Sequence, residues 1–339
     1  MLFGTVLVAS CGSGTTASKP ATPLQSAPEP AVSPPSAGRL PGTVVPLSGA
    51  PEGVAVTDAG TVAVNVRSAN MSHGGLVIFP LSSPASASSA GVVNLGGSAR
   101  HLTLAGPDGP ALVADESDDR FLRVALPSGQ ILSSVHVGRQ PHEAIAVGTD
   151  TSYVFDELAN TIHVVHAEQV VRVVPAPLQP GGGAAASDGR HVVSVGVRGR
   201  RITDYTANGN VVGSANCGAG PTHVITGSDG LFWVNDTNGD AVLGFELTSH
   251  GPKQVATIPT GPGSKPYGLA YDTHRHTLWT TLTGRDQLLG LTFSGTAVTS
   301  RATYDTVQQP NTVAVDQATG ELVITGSTPG QTGHLQFLR

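Results

Sequence analysis

The chain has 339 residues, 43 of them Gly and 25 Pro, and a net charge of −6 with only 12% charged residues. So sparse a charge, with no basic stripe, excludes a surface built to hold nucleic acid. Glycine and proline at this density suit many short strands and turns, and no long stretch has helical periodicity.

In chain order, the first segment is apolar. Residues 1–10 (MLFGTVLVAS) lead directly into Cys11, with small residues at both preceding positions. Val8-Ala9-Ser10-Cys11 resembles the lipobox of bacterial lipoproteins, whose cysteine is lipidated and becomes the first mature residue. An ordinary secretory core that happens to contain a cysteine is the other reading. No Lys or Arg precedes Cys11, and ten residues are too few to span a bilayer as a helix. Residues 1–11 are therefore read as a signal peptide with its lipidation site at Cys11. Residues 12–41, dominated by Pro, Ser, Ala and Thr, read as a disordered linker. At about 3.1 Å per residue in polyproline II, thirty residues reach up to roughly 90 Å. These features place the rest of the chain at the outer face of the cytoplasmic membrane, or secreted if the lipobox is unused. With Cys11 acylated, Cys217 has no disulfide partner and reads as a structural residue.

From residue 42 onward the sequence repeats. Units are anchored at Pro51, Ala99, Pro141, Pro180, Pro221, Pro266 and Pro310, 39 to 48 residues apart. Four short strands at that period predict a β-propeller. First strands are rich in small residues, as in Gly53–Thr57, His101–Ala105 and Ala144–Gly148, and the fourth unit is degenerate, GAAAS from Gly183. Second strands are the most apolar, as expected of strands buried on both faces. After Pro310 only three strands remain, so Thr43–Leu47 is expected to supply the fourth and close the ring without an edge. The prediction is an all-β, seven-bladed propeller over residues 42–339, as one domain and a monomer.

In such a ring, the turns entering first strands and leaving second strands open on one face. Entering turns contribute Glu52, Arg100, His101, His142, Glu143, His223, Tyr267 and Asn311. Leaving turns contribute Asn65, Arg67, Asp115, Glu116, Asp156, Glu157, Asn235 and Asp236. Polar groups converging on a concave mouth mark a binding site. Three readings stand side by side. His101, His142 and His223, with the aspartates, suit a divalent metal. The same groups suit a polar funnel for a small ligand or a cell-envelope protein. In the third reading Asp115, Asp156 and Asp236 cap turns and the histidines pack beside them. Elsewhere, His274-Arg275-His276 has metal-like spacing but falls in a hairpin on the opposite face, and His163 and His166 sit on a third strand. Gly181–Gly183 precedes neither Lys nor a helix, so it is no phosphate loop. No serine has the Gly-x-Ser-x-Gly setting of a hydrolase nucleophile.

Pro221…Asp229-Gly230-Leu231-Phe232-Trp233-Val234-Asn235-Asp236 and Pro266…Leu278-Trp279 resemble the units of the YVTN-type seven-bladed propellers. That tetrad appears here as WVND, YVFD and LVAD. With the lipobox and linker, the whole resembles a surface lipoprotein of a high-GC Gram-positive bacterium. The blade pattern is also similar to the streptogramin lyases, whose chemistry uses a His, a Glu-x-His pair and magnesium. Glu-x-His is absent here, and His142-Glu143 runs in reverse. The expected function is a lipid-anchored binding module for a protein partner or small ligand at the mouth, without a cofactor. The alternative is a metal-dependent lyase or lactonase at the same mouth.

Overall fold

A computed structural model describes residues 29–35, 38–68, 73–227, 230–327 and 333–339. Cys11, the signal segment, linker residues 12–28 and Asp229 lie outside the described residues. Twenty-eight strands, numbered β1 to β28 in chain order, form seven antiparallel sheets of four. Each sheet is one blade, and the blades close into a ring as expected. Among the described residues there is no α-helix, only a short 3₁₀ turn at Pro84–Ser88.

The closing strand is the one the sequence pointed to. β1 (Thr43–Leu47) pairs with β28 (Gly333–Leu338), from Thr43 opposite Phe337 to Leu47 opposite Gly333. Val45 and Leu47 enter a cluster with Val66, Phe79 and Phe337, which welds the last blade to the first. Second strands are the core: Ala111–Asp115 and Phe232–Asp236 are buried at every residue. Large rings fill the wedge between blades, and Trp233 stacks on Phe293 with centroids 4.4 Å apart. Cys217 is a free, fully buried thiol packed near Val234 and Ala241, and burial pushes its pKa up.

The innermost strands start earlier than the pattern suggested. They run Ala50–Val56, Ala99–Leu104, Pro141–Ala146, Pro180–Ala185, Pro221–Thr226, Pro266–Asp272 and Pro310–Val315. In all seven, the register with the second strand slips just after the anchor residue. A bulge there adds twist and re-aims the extra side chains. The anchor itself sits on an edge facing the channel, where proline's missing N–H is tolerated.

Capping residues fix that corner. Gln140, Gln179, Lys265 and Gln309, each just before an anchor proline, have φ between 52° and 57°. Their N–H groups donate to Asp119 (2.8 Å), Asn160 (2.6 Å), Asp240 (3.0 Å) and Asp286 (2.9 Å). The acceptors are themselves left-handed, a conformation that Asp and Asn tolerate.

Blades are stitched at the bulges. Asn65 Nδ2 donates to the His101 carbonyl at 2.9 Å, and Asn235 Nδ2 to the Tyr267 carbonyl at 2.8 Å. Thr325 Oγ1 donates to the Glu52 carbonyl at 2.8 Å across the seam where the ring closes. Blade three has Phe155 at this position, and its ring occupies the space where a Cβ on Gly183 would stand. The glycine run of blade four is thus a cut-out for its neighbour.

Charge on the buried side of the closing strand should open the ring. Val45→Asp is expected to cost about 3–5 kcal/mol, whereas Val44→Asp, on the exposed side, should cost about 0.5 kcal/mol or less. Parallel chemical denaturation of the two variants checks this.

Candidate functional site

The bulges carry the polar residues that the sequence assigned to entering turns. His101, His142 and His223 come from the inner strands of blades two, three and five and meet on the ring axis. Ring centroids are 4.6 Å apart for His101 and His142, and 4.8 Å for His101 and His223. One nitrogen from each ring lies within 4.8 Å of the others, which makes the three together able to hold a metal ion. His223 Nδ1 lies 2.9 Å from the Tyr267 carbonyl, which can only accept, so that nitrogen carries the proton. Its Nε2 faces His101 Nε2 at 3.4 Å.

Carboxylates and arginines surround the imidazoles. Glu116 accepts from His142 Nδ1 at 2.8 Å and pairs with Arg100 at 3.2 Å, while Glu157 lies 3.7 Å from His142. Glu52 pairs with Arg67 at 2.6 Å, both largely buried. Burial holds His101 well below its ordinary pKa and lowers His223 to about 4, with His142 reinforcing both shifts. Burial also opposes a proton on His142, yet the bond and charge of Glu116 win and raise it to about 9. Glu116 is the reciprocal case: burial disfavours its charge, but His142, Arg100 and Arg67 hold its carboxyl below the usual range. Burial pushes Glu143 up to about 7, against the Gly183 N–H that its Oε2 accepts at 2.9 Å. Gly182, at φ +153°, has no side chain to collide with that carboxylate.

Three candidates are placed elsewhere. Asp236 accepts the N–H groups of Ala219, Gly220 and Gly239 at 2.9, 2.7 and 3.1 Å. Asp156 accepts from Arg139 at 2.6 Å and Ala159 at 3.3 Å. Asp115 is fully buried beside Ser117, whose hydroxyl lies 3.3 Å away. Asp236 and Asp156 spend their oxygens on loop N–H groups and cap turns, Asp115 turns to Ser117 with its Oδ2 unpartnered among the described residues, and all three stand outside the histidine group. Asn311 is buried at the mouth, and its Oδ1 has no hydrogen-bond partner among the described residues.

Glu143 reaches the channel below the mouth. There a cavity of about 450 Å³ is lined by Glu143, His101, His223 and the inner edges of other blades. Above, a small pocket is bordered by Arg100, His142, Glu157, Tyr267 and Glu29. Glu29 was not among the expected residues. It belongs to a segment, residues 29–35, that lies against blades six and seven. Ala31 N–H donates to Thr283 Oγ1 at 3.1 Å, and Ser33 N–H to Gln309 Oε1 at 3.0 Å. Gln309 Nε2 donates to the Ala31 carbonyl at 2.7 Å, Gln308 Nε2 to the Pro34 carbonyl at 3.0 Å, and Ser33 Oγ to the Thr283 carbonyl at 2.6 Å. The glutamine just before the anchor Pro310 was the visible sign of the Gln309 amide, whereas the matching Gln140 and Gln179 amides both turn to Glu157.

No protein-family model and no curated protein matches the chain. Solved structures do. A chain of the mitotic checkpoint complex superposes with a TM-score of 0.72 at 15% identity, covering 99% of both chains. Hydrazine synthase from Kuenenia stuttgartiensis gives 0.67 at 17%, covering 89% of this chain and 99% of the other. Virginiamycin B lyase from Staphylococcus aureus gives 0.64 at 16%, covering 87% and 99%. At such identities the likeness is one of fold, and the names span unrelated activities.

Glu116 holds both Arg100 and His142, so Glu116→Gln should cost about 1–3 kcal/mol by removing the carboxylate that half-buried Arg100 and buried His142 share. Asp188→Asn, at an exposed pair with Arg190, should leave the melting curve unchanged in the same thermal scans.

Proposed function

We propose that the protein is a binding module whose mouth face receives an extended, carboxylate-bearing segment of a partner protein. The observation that carries this is how the chain's own residues 29–34 are held. Gln309 grips the backbone on both sides of Val32, accepting from Ser33 and donating to Ala31. Such a grip reads an extended main chain whatever its side chains. Pro30 and Pro34 predispose the segment to that shape and lower the entropy lost on docking. Glu29 then stands in the pocket of Arg100, whose charge Glu52 and Glu116 sustain against burial and to which Glu29 adds. The partner is read as a cell-envelope protein. Its segment must compete with a tethered one, present at an effective concentration on the order of millimolar.

The setting we propose is the outer face of the cytoplasmic membrane, with Cys11 lipidated and the Pro-rich linker as spacer, in a protein of the YVTN-propeller kind. The lipobox-like run Val8–Cys11 supports the anchor. Cys11→Ala should abolish incorporation of a labelled fatty acid and release the chain from the membrane fraction.

Undocking the segment tests the mouth. Ala31→Pro with Ser33→Pro removes the two N–H donors and the Ser33 hydroxyl while every residue of the ring stays native. A labelled peptide of residues 29–35 (EPAVSPP) should then bind this variant at least about tenfold more tightly than the native chain, by fluorescence anisotropy. Replacing the peptide's Glu by Gln should weaken it. Equal, weak binding to both proteins would overturn the reading.

A further inference from the structure

We propose that His101, His142 and His223 form a three-imidazole site for a borderline divalent transition ion, Zn²⁺ foremost, at the floor of the mouth. The spacing is the first argument. Nitrogens bound to a common zinc at about 2.0–2.1 Å and a tetrahedral angle stand about 3.3–3.4 Å apart. His101 Nε2 and His223 Nε2 are 3.4 Å apart. The third donor, on His142, completes a set within 4.8 Å and closes onto an ion by turning its ring.

The second argument is the shell behind the ligands. A metal-binding histidine has its other nitrogen bonded to a carbonyl or carboxylate, which fixes the tautomer and aims the lone pair. His223 has the Tyr267 carbonyl in that place and His142 the Glu116 carboxylate, at 2.9 and 2.8 Å. His223 thereby presents a bare Nε2, and His142 presents its own once a bound ion displaces the proton there. His223 Nε2, left bare, faces His101 Nε2, and the contact is closed either by a proton on His101 or by an ion between the two rings.

The third argument is placement. All three ligands sit on bulged inner strands of a closed ring, which holds them more firmly than loops would. Three imidazole nitrogens, neutral once an ion is bound, favour zinc, copper, nickel or ferrous iron over magnesium and calcium, which take oxygen ligands. His101 and His223 line the channel cavity, whereas His142 and His223 border the upper pocket. An ion here sits at the boundary between the two, with a fourth position for a water or a ligand atom.

The test uses the full chain. The protein is stripped with chelator, titrated with Zn²⁺, and separately with Co²⁺ while visible absorption is followed. The expected result is one ion per chain, a set of cobalt d–d bands, and a melting temperature raised by metal. His101→Gln and His223→Gln should each abolish the bands, and Glu116→Gln should weaken affinity about 10- to 100-fold. Circular dichroism of the apo variants separates a lost ligand from a lost fold, and the native chain's cobalt spectrum stands without any variant. Failure of the stripped native chain to bind either ion at 100-micromolar order would overturn the site, as would unchanged bands in both histidine variants. The EPAVSPP titration, run with chelator present, reports on the peptide reading independently.

Discussion

Everything at the mouth depends on one backbone irregularity, the register slip after each anchor residue. Without it, the residues following Pro141 or Pro221 would keep strict alternation, and their side chains would pack between blades with the valines beyond them. The slip adds residues to the inner strand that the second strand does not match. Those residues, His142, Thr222 and His223 among them, are turned toward the axis or into the seam beside it. The left-handed residue before the anchor and its Asp or Asn acceptor hold the corner, and the Asn or Thr on the neighbouring second strand fastens the bulged carbonyl. Hydrogen bonds that would otherwise be orphaned are satisfied by the next blade.

The ring is sevenfold in topology but not in chemistry. Three imidazoles come from blades two, three and five, and blade four withdraws to bare backbone between them. That withdrawal gives Glu143 its place, because its carboxylate occupies the volume that a side chain on Gly182 would fill. Burial then leaves Glu143 hard to ionise, while Glu116, equally enclosed but faced by Arg100 and His142, stays charged. Two glutamates in one mouth are thus set apart by what lies opposite each.

Much of this was legible in the sequence. The anchor spacing and the missing last strand gave seven blades and the closing role of Thr43–Leu47, because a propeller's period and its need to hide an edge are both written locally. The convergence of His101, His142 and His223 was also legible, since equivalent positions in different blades must share a face. Asp115, Asp156 and Asp236 were ambiguous for a physical reason: an aspartate after a strand serves a turn cap and a ligand equally well until its oxygens' partners are known. The roles of Asp119, Asn160, Asp240 and Asp286 were hidden because their partners lie about twenty or more residues away along the chain. Hidden too was the docking of residues 29–35, whose composition reads as spacer and whose partners, Thr283 and Gln309, are some 250 residues distant.

The pairing of β1 with β28 also governs when the molecule can finish folding. Leu47 and Gly333 are 286 positions apart (333 − 47), against some 40 for the span of one blade. The entropic penalty for the longer loop is modest, about 2 kcal/mol more, because it grows only with the logarithm of length. The kinetic consequence is larger. As the chain becomes available from its N-terminus, blades one to six can assemble in order, but the seventh waits for β28. Until then β1 is an unpaired ribbon and the half-built ring has two open edges, so the chain is most exposed to mispairing in the interval before β28 arrives.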